Sequence, residues 1–198
     1  MIKQLPKSFQ FSLNFYQNKI VNGDKFILYK DQNLKIVFDR NSNNEYDIEN
    51  AYIHLISIEP TTEHKNACTE GNTPINGCEP KCNYNHKKNI FRPHEKRIQC
   101  IFRANHLINL LLVIDLINNK SPFIRFFEET TKDSHKNLIT RCYYEYRNIN
   151  NEHYVIIFDF KKTYLQFVTA FPVTIKSYKN DLHRKYQKYS SINKKSNH

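Results

Sequence analysis

The sequence predicts an α+β fold in which an antiparallel β-meander packs on a long amphipathic helix. Apolar residues recur every three or four positions across residues 95–118, as in a half-buried helix, and Pro122 ends that segment. β-branched and aromatic residues then dominate four runs that polar turns separate: residues 123–129, 138–147, 154–160 and 163–171. A sheet built from these runs needs an apolar partner, and the preceding helix supplies one.

A helix, a hairpin and a third strand are predicted before that unit. Residues 9–20 carry apolar side chains at the spacing of a short amphipathic helix. The runs 25–30 and 33–40 are separated by two polar residues, which is typical of a hairpin. Residues 51–58 alternate well enough to predict a strand.

The length of 198 residues is enough to bury one good core, so we predict a single domain over residues 1–198. Residues 59–95 lose all periodicity and hold two of the three glycines and three of the five cysteines, which indicates a loop insertion. Residues 176–198 hold seven Lys and Arg against one Asp, and we predict a basic C-terminal helix with a frayed end.

The charge balance favours an acidic partner. Thirty Lys and Arg against nineteen Asp and Glu give a formal charge of +11 and a pI near 9.4. Nucleic acid, an anionic membrane surface or an acidic protein would suit this charge, and nucleic acid is the leading candidate. An A+T-rich genome, which enriches Lys, Asn and Ile, is the alternative explanation of the same composition. No apolar run reaches about 18 residues and no secretory signal begins the chain, so we expect a cytoplasmic protein with no membrane partner.

The insertion carries the most specific spacing in the sequence. Three thiols and an imidazole lie close together at Cys68, Cys78, Cys82 and His86. Such a set can surround a structural zinc ion, and a loop with few apolar residues needs a staple of this kind to become ordered. Ligation by His94 or Cys100, and free cysteines without metal, are the open alternatives. The metalloenzyme pattern HExxH is absent, so we expect no cofactor for catalysis.

Phosphate-binding loops and the GxSxG nucleophile motif are absent as well, which argues against nucleotide-driven enzymes and serine hydrolases. The remaining imidazole, hydroxyl, phenol and basic groups suit metal-independent RNA cleavage, in which a 2′-hydroxyl is deprotonated and a phosphorane is stabilised. The candidate catalytic residues are His54, Arg103, His106, Thr169 and Tyr186, and the candidate phosphate-binding residues are Arg125, Arg141, Arg184 and Lys185. Each has an ordinary structural interpretation, as a half-buried histidine, a strand residue or a solvated charge, so only the set argues for a nuclease.

The helix RIQCIFRANHLINLLLVIDLI and the ending YVIIFDFKKTYLQFVTAFPV resemble the Barnase, EndoU, colicin and RelE-like nuclease superfamily, and most closely its phage-type branches, whose last strand reads like "fvTAyp". The segment AYIHLISI is similar to the HL strand of one such branch. The resemblance identifies His54, Arg103 and Thr169 with residues of those motifs. Ile56 and Ser57 stand where a Thr-Gly pair is usual.

The resemblance implies a small endoribonuclease, acting as a toxin or as an effector of a phage or mobile element, with RNA as substrate and an antitoxin, immunity or host protein as a further partner. We expect cleavage by 2′-hydroxyl attack, with His54 or His106 as the base. The alternatives are a non-catalytic nucleic-acid- or protein-binding factor of a phage or mobile element, and an inhibitor of an acidic host enzyme.

Overall fold

The computed structural model describes residues 7–42, 47–58, 98–133, 135–150 and 152–195. Two compact units divide them, a first unit within Met1–Asn22 and Asp39–Ile108 and a second unit within Gly23–Phe38 and Asn109–His198. Helices and a mainly antiparallel sheet confirm the predicted α+β class. The single domain over residues 1–198 stays a prediction.

The helices and strands follow one another in order along the chain. They are α1 (Lys7–Phe15), a π-helical segment (Tyr16–Ile20), β1 (Lys25–Tyr29), β2 (Gln32–Val37), α2 (Asn50–Ile56), β3 (Ser57–Ile58), β4 (Ile98–Gln99), α3 (Ile101–Asn105), α4 (Asn109–Asn118), β5 (Ile124–Lys132), β6 (Leu138–Arg147), β7 (His153–Phe160), β8 (Tyr164–Pro172) and α5 (Lys176–Lys195). None of the helices among the described residues is both long and apolar enough to cross a membrane.

The first unit is built on the predicted N-terminal helix. Phe9, Leu13, Tyr16 and Ile20 are buried at spacings of three and four, as the sequence pattern predicts. The hydroxyl of Tyr52 reaches this helix, since it lies 2.7 Å from Ser12 Oγ and donates to Phe9 O at 3.0 Å. Two buried hydroxyls are thereby satisfied, and α2 is fixed against α1.

The strand predicted at residues 51–58 is wrong, because Asn50–Ile56 is a helix and only Ser57–Ile58 is extended. Ala51, Tyr52, Ile53 and their neighbours are buried around the whole circumference of the helix. A run that is apolar on every side fits a buried helix as well as a strand, and periodicity cannot separate the two.

The single long helix predicted at residues 95–118 is also wrong. Residues 98–99 pair with β3 as a short strand, a turn at residues 106–108 separates α3 from α4, and residues 95–97 lie outside the described part of the chain. The backbone hydrogen bonds tighten at the break. His106 N–H donates to both Phe102 O and Arg103 O at 3.2 Å, and Leu107 N–H donates to Ala104 O at 3.3 Å, three residues back rather than four. The α-helical pattern thus gives way to a tighter turn.

The second unit contains the predicted meander and hairpin, which are both confirmed. Its six strands are ordered β1-β2-β8-β7-β6-β5, and β5 to β8 pair antiparallel in sequence. The hairpin turns at Lys30 and Asp31, whose φ angles of 45° and 65° suit a tight turn. β2 joins β8 in parallel, so the sheet is mixed, a pairing that the sequence pattern did not predict.

Two helices pack on the sheet of the second unit. α4 contacts β1 and β7 and buries Leu110, Val113 and Ile117, so the second half of the predicted helix does support the sheet. α5 lies along β5 and places Leu182 in a core with Phe127 and its neighbours. The basic C-terminal helix is therefore confirmed. Its predicted frayed end is wrong as far as Lys195, where the helix still continues, and residues 196–198 lie outside the described part.

The predicted insertion at residues 59–95 falls outside the described residues. The same holds for the whole predicted zinc set, Cys68, Cys78, Cys82 and His86. Among the residues that are described, no group of three His, Cys, Asp or Glu side chains is placed to hold a metal ion. The zinc site therefore stays a prediction from spacing.

Candidate active site

Four polar side chains meet on the face of the sheet that α5 covers. Arg125 on β5 pairs across the strands with Glu145 on β6, and Arg147, two residues further on, pairs with His153 on β7. Because side chains alternate between the faces of a strand, this register places all four on one face. We call Arg125, Glu145, Arg147 and His153 the strand cluster.

The Glu145 carboxylate is the centre of the strand cluster. Arg125 Nε donates to Glu145 Oε2 at 2.7 Å, and Arg125 Nη2 contacts the same oxygen. Arg147 Nε donates to Oε1 at 2.8 Å. His153 Nε2 lies 2.6 Å from Oε1. Glu145 thus has two cations and one imidazole as neighbours.

Burial divides the strand cluster into a covered part and an open part. The Glu145 side chain is 0% exposed and that of His153 is 5% exposed. The Arg125 side chain is 21% exposed and that of Arg147 is 43% exposed. The carboxylate and the imidazole therefore lie beneath guanidinium groups that solvent reaches.

The protonation states follow from these contacts. Burial acts to raise the pKa of Glu145, but the contacts with His153 and Arg125 lower this pKa to about 2. Burial lowers the pKa of His153, and the charges of Arg147 and Lys179 act in the same direction, so that the opposing effect of Glu145 is outweighed. At neutral pH the cluster consequently holds an anionic carboxylate, two guanidinium ions and a neutral imidazole.

A second group, the lysine cluster, comprises Glu129, Tyr143 and Lys185. Lys185 Nζ lies 2.6 Å from Glu129 Oε1 and donates to Tyr143 Oη at 2.9 Å, while the phenol donates to the same carboxylate oxygen. Burial and the hydrogen bond to Glu129 raise the pKa of Tyr143. The phenol therefore keeps its proton at neutral pH, and Lys185 is neutralised by a carboxylate.

The other predicted phosphate-binding arginines are also paired. Arg141 binds Asp159 through two hydrogen bonds of 2.8 and 3.2 Å. Arg184 Nη2 donates to Asp181 Oδ1 at 2.7 Å on the exposed side of α5. All four cations predicted to bind phosphate, Arg125, Arg141, Arg184 and Lys185, thus contact carboxylates of the second unit.

Tyr186 is the predicted catalytic residue that the structure places at the strand cluster. Its ring lies against the Arg125 guanidinium, with 4.2 Å from Arg125 Cζ to the ring centroid, and edge-on to Phe127 at 6.0 Å between centroids. Thr169 is half-buried on β8, opposite Ile157 and beside a register shift of the β7–β8 pairing.

The remaining predicted catalytic residues belong to the first unit. His54 is half-buried on α2, in the apolar setting that favours a structural histidine. Arg103 Nη1 donates to Ser57 O at 2.6 Å and so ties α3 to β3. His106 lies in the turn after α3, with its ring centroid 4.1 Å from that of Phe102. Arg103 and His106 therefore do not lie on one helix.

Sequence reasoning missed Glu145, Arg147 and His153. The available signal was the alternation in β6, where Glu145 and Arg147 are two residues apart between tyrosines and therefore share a face. A hairpin around residues 148–152 then predicts that His153 lies across from Arg147. The buried thiol on the same strand is not part of this chemistry, since burial raises the pKa of Cys142 to about 12.

With the geometry in place, the chain can be compared with known proteins. No protein-family model, curated protein or solved structure matches it.

Proposed function

We propose that the chain is a metal-independent endoribonuclease that cleaves RNA at the strand cluster. One observation supports the proposal: a carboxylate, an imidazole and two guanidinium groups from three neighbouring strands meet on one sheet face. Acid–base groups beside paired cations are what transesterification of a phosphodiester requires.

In the proposed reaction His153 takes the proton of the 2′-hydroxyl, which its neutral imidazole permits at physiological pH. The 2′-oxygen forms a bond to phosphorus, and the bond from phosphorus to the 5′-oxygen breaks. Tyr186 supplies the proton that the 5′-oxygen needs. The products are a 2′,3′-cyclic phosphate and a free 5′-hydroxyl.

The charged groups have separate roles in this proposal. Arg147 and Arg125 bind the phosphate and offset the charge of the phosphorane. Glu145 stays anionic and holds both guanidinium groups and the imidazole in place. His153 Nε2 lies 2.6 Å from the anionic Glu145 Oε1 and therefore carries the proton of the neutral imidazole, so Nδ1 is the nitrogen that accepts the 2′-hydroxyl proton. Because the His153 side chain is only 5% exposed, the substrate has to displace the groups that cover this ring before cleavage.

The burial of Glu145 and His153 favours a second candidate function, which is a non-catalytic nucleic-acid-binding factor. Buried ion pairs of this kind also serve to stabilise a fold. If Glu145 and His153 have only this structural role, then only the exposed cations contact the nucleic acid.

Cleavage of RNA by the purified protein in EDTA separates the two functions. We expect 2′,3′-cyclic phosphate ends and a cleavage rate that falls at least about 100-fold in His153→Gln. His135→Gln is the matched control, since His135 is exposed in the turn before β6. Loss of cleavage in His54→Ala or His106→Ala but not in His153→Gln would move the active site to the first unit, and RNA that stays intact would contradict the nuclease.

We also propose a structural zinc ion on Cys68, Cys78, Cys82 and His86, supported by their spacing alone. Metal analysis of the purified chain is expected to find one zinc per chain, and Cys78→Ser together with Cys82→Ser is expected to remove it. A zinc content that is unchanged in this double variant would contradict the assignment.

A further inference from the structure

α5 has two chemically different faces. Tyr178, Leu182, Tyr186 and Tyr189 face the sheet and pack on the core around Phe127. The opposite side is exposed and mainly polar, and the exposed residues of α5 are Lys176, Ser177, Asn180, His183, Arg184, Gln187, Lys188, Ser191 and Ile192. The residues of each set recur about every three or four positions, which is the period of an α-helix. The two sets therefore lie on different sides of α5.

The cations of the outward face are left largely unbalanced. Asp181 is the one acidic residue of α5, and both Arg184 and Lys185 share it, at 2.7 and 3.8 Å. Lys176 and Lys188 have no carboxylate within ion-pair distance among the residues that the structure describes. Since Lys176 and Lys188 are uncompensated and attract anions, this face is suited to an acidic ligand.

The length and the chemistry of the face favour a nucleic-acid backbone. Lys176 and Lys188 are twelve residues apart, so about 18 Å of helix separates them, which spans several phosphates of one strand. A membrane-binding helix would need an apolar side to insert into lipid, and the apolar side of α5 is already packed on the sheet. A flexible polyanion in water can follow this face without any insertion.

We propose that the outward face of α5, formed by Lys176, Arg184 and Lys188, is a docking surface for the phosphodiester backbone of single-stranded RNA. The inference deepens the proposed ribonuclease, because the surface holds the strand while the strand cluster cleaves it. It does not depend on cleavage, since the three side chains are exposed and lie outside the strand cluster.

The test measures binding of a single-stranded 2′-O-methyl RNA, which has no 2′-hydroxyl to attack. We compare the full chain with the variant K176Q/R184Q/K188Q at several salt concentrations. Affinity is expected to fall at least about tenfold, and the slope of log K against log salt is expected to shrink by about 2, because three phosphate contacts are lost. Lys179 is kept because its charge acts on His153.

The matched control is K132Q/K136Q/K162Q, which removes the same charge from exposed positions of the same unit outside α5. Equal losses in the two variants would overturn the docking surface and leave only the effect of net charge. The docking surface would also be overturned if the full chain bound anionic vesicles or polyglutamate more tightly than RNA, with the same dependence on the three residues. If the triple variant loses affinity as expected but the full chain does not cleave RNA that carries 2′-hydroxyl groups, the proposed ribonuclease is refuted and the docking surface is retained.

Discussion

The arginines of the sheet and two lysines of α5, Lys176 and Lys188, occupy the same unit but differ in their partners. On the sheet face Arg125, Arg141 and Arg147 each bind a carboxylate of a neighbouring strand or of their own strand. On the outward face of α5, Lys176 and Lys188 have no such partner among the described residues. Net charge alone does not distinguish these two groups.

The difference in carboxylate partners indicates different roles for the two groups of cations. A guanidinium that a buried carboxylate holds is fixed in position, which suits a group that must meet a reacting phosphate with accurate geometry. A lysine on an exposed helix is mobile and unpaired, which suits attraction of a polyanion of any sequence. We therefore expect changes on the sheet to alter stability and chemistry, and changes on α5 to alter affinity.

The largest effect on stability is expected from Glu145→Ala. The variant leaves Arg125, Arg147 and His153 around a buried site without its negative charge, and loss of one partner of a buried ion pair costs about 3–5 kcal/mol. Asp181→Ala is the matched control on α5, where the exposed pair with Arg184 contributes about 0–1 kcal/mol. Urea unfolding measures both, and equal costs would contradict the contrast between sheet and helix.

A smaller effect is expected from pH. The folded-state pKa values of Glu145 and His153 lie below the values of 4.5 and 6.5 for the free side chains, so the unfolded chain binds their protons first as pH falls. The free energy of unfolding should therefore decrease from about pH 6.5 downward, with the Glu145 part lost between about pH 4.5 and pH 2. His153→Gln should remove the part of this decrease in the free energy of unfolding that falls near pH 6. A stability that rises from pH 7 to pH 5 would contradict these protonation states.

The sequence predicted the sheet well because its signals were local. Each meander strand is a β-branched and aromatic run bounded by polar turns, and Lys30 and Asp31 lie in a hairpin turn that two flanking strands enclose. It failed at residues 51–58 because a fully buried helix and a strand share one apolar pattern. It failed at His106 because the apolar spacing continues through residues 106–108, while the backbone there changes to hydrogen bonds that reach three residues back.

The candidate site was predictable only in part, for a related reason. Arg125 and Tyr186 were found as single basic and phenolic residues, but their contact depends on how α5 lies along β5, which no local pattern encodes. Glu145 was missed because a search for RNA-binding cations passes over the carboxylate that organises them. The cross-strand register, rather than residue type, brings His153 to that carboxylate.

Cleavage at the strand cluster is tested with a DNA oligonucleotide that contains one ribonucleotide, incubated with the full chain in EDTA. We expect a single cut on the 3′ side of the ribose, a 2′,3′-cyclic phosphate end and no cut in the all-deoxy control. The rate should be at least about 100-fold lower in His153→Gln than in His135→Gln. An intact chimeric strand, or equal rates in the two variants, would contradict cleavage at the strand cluster.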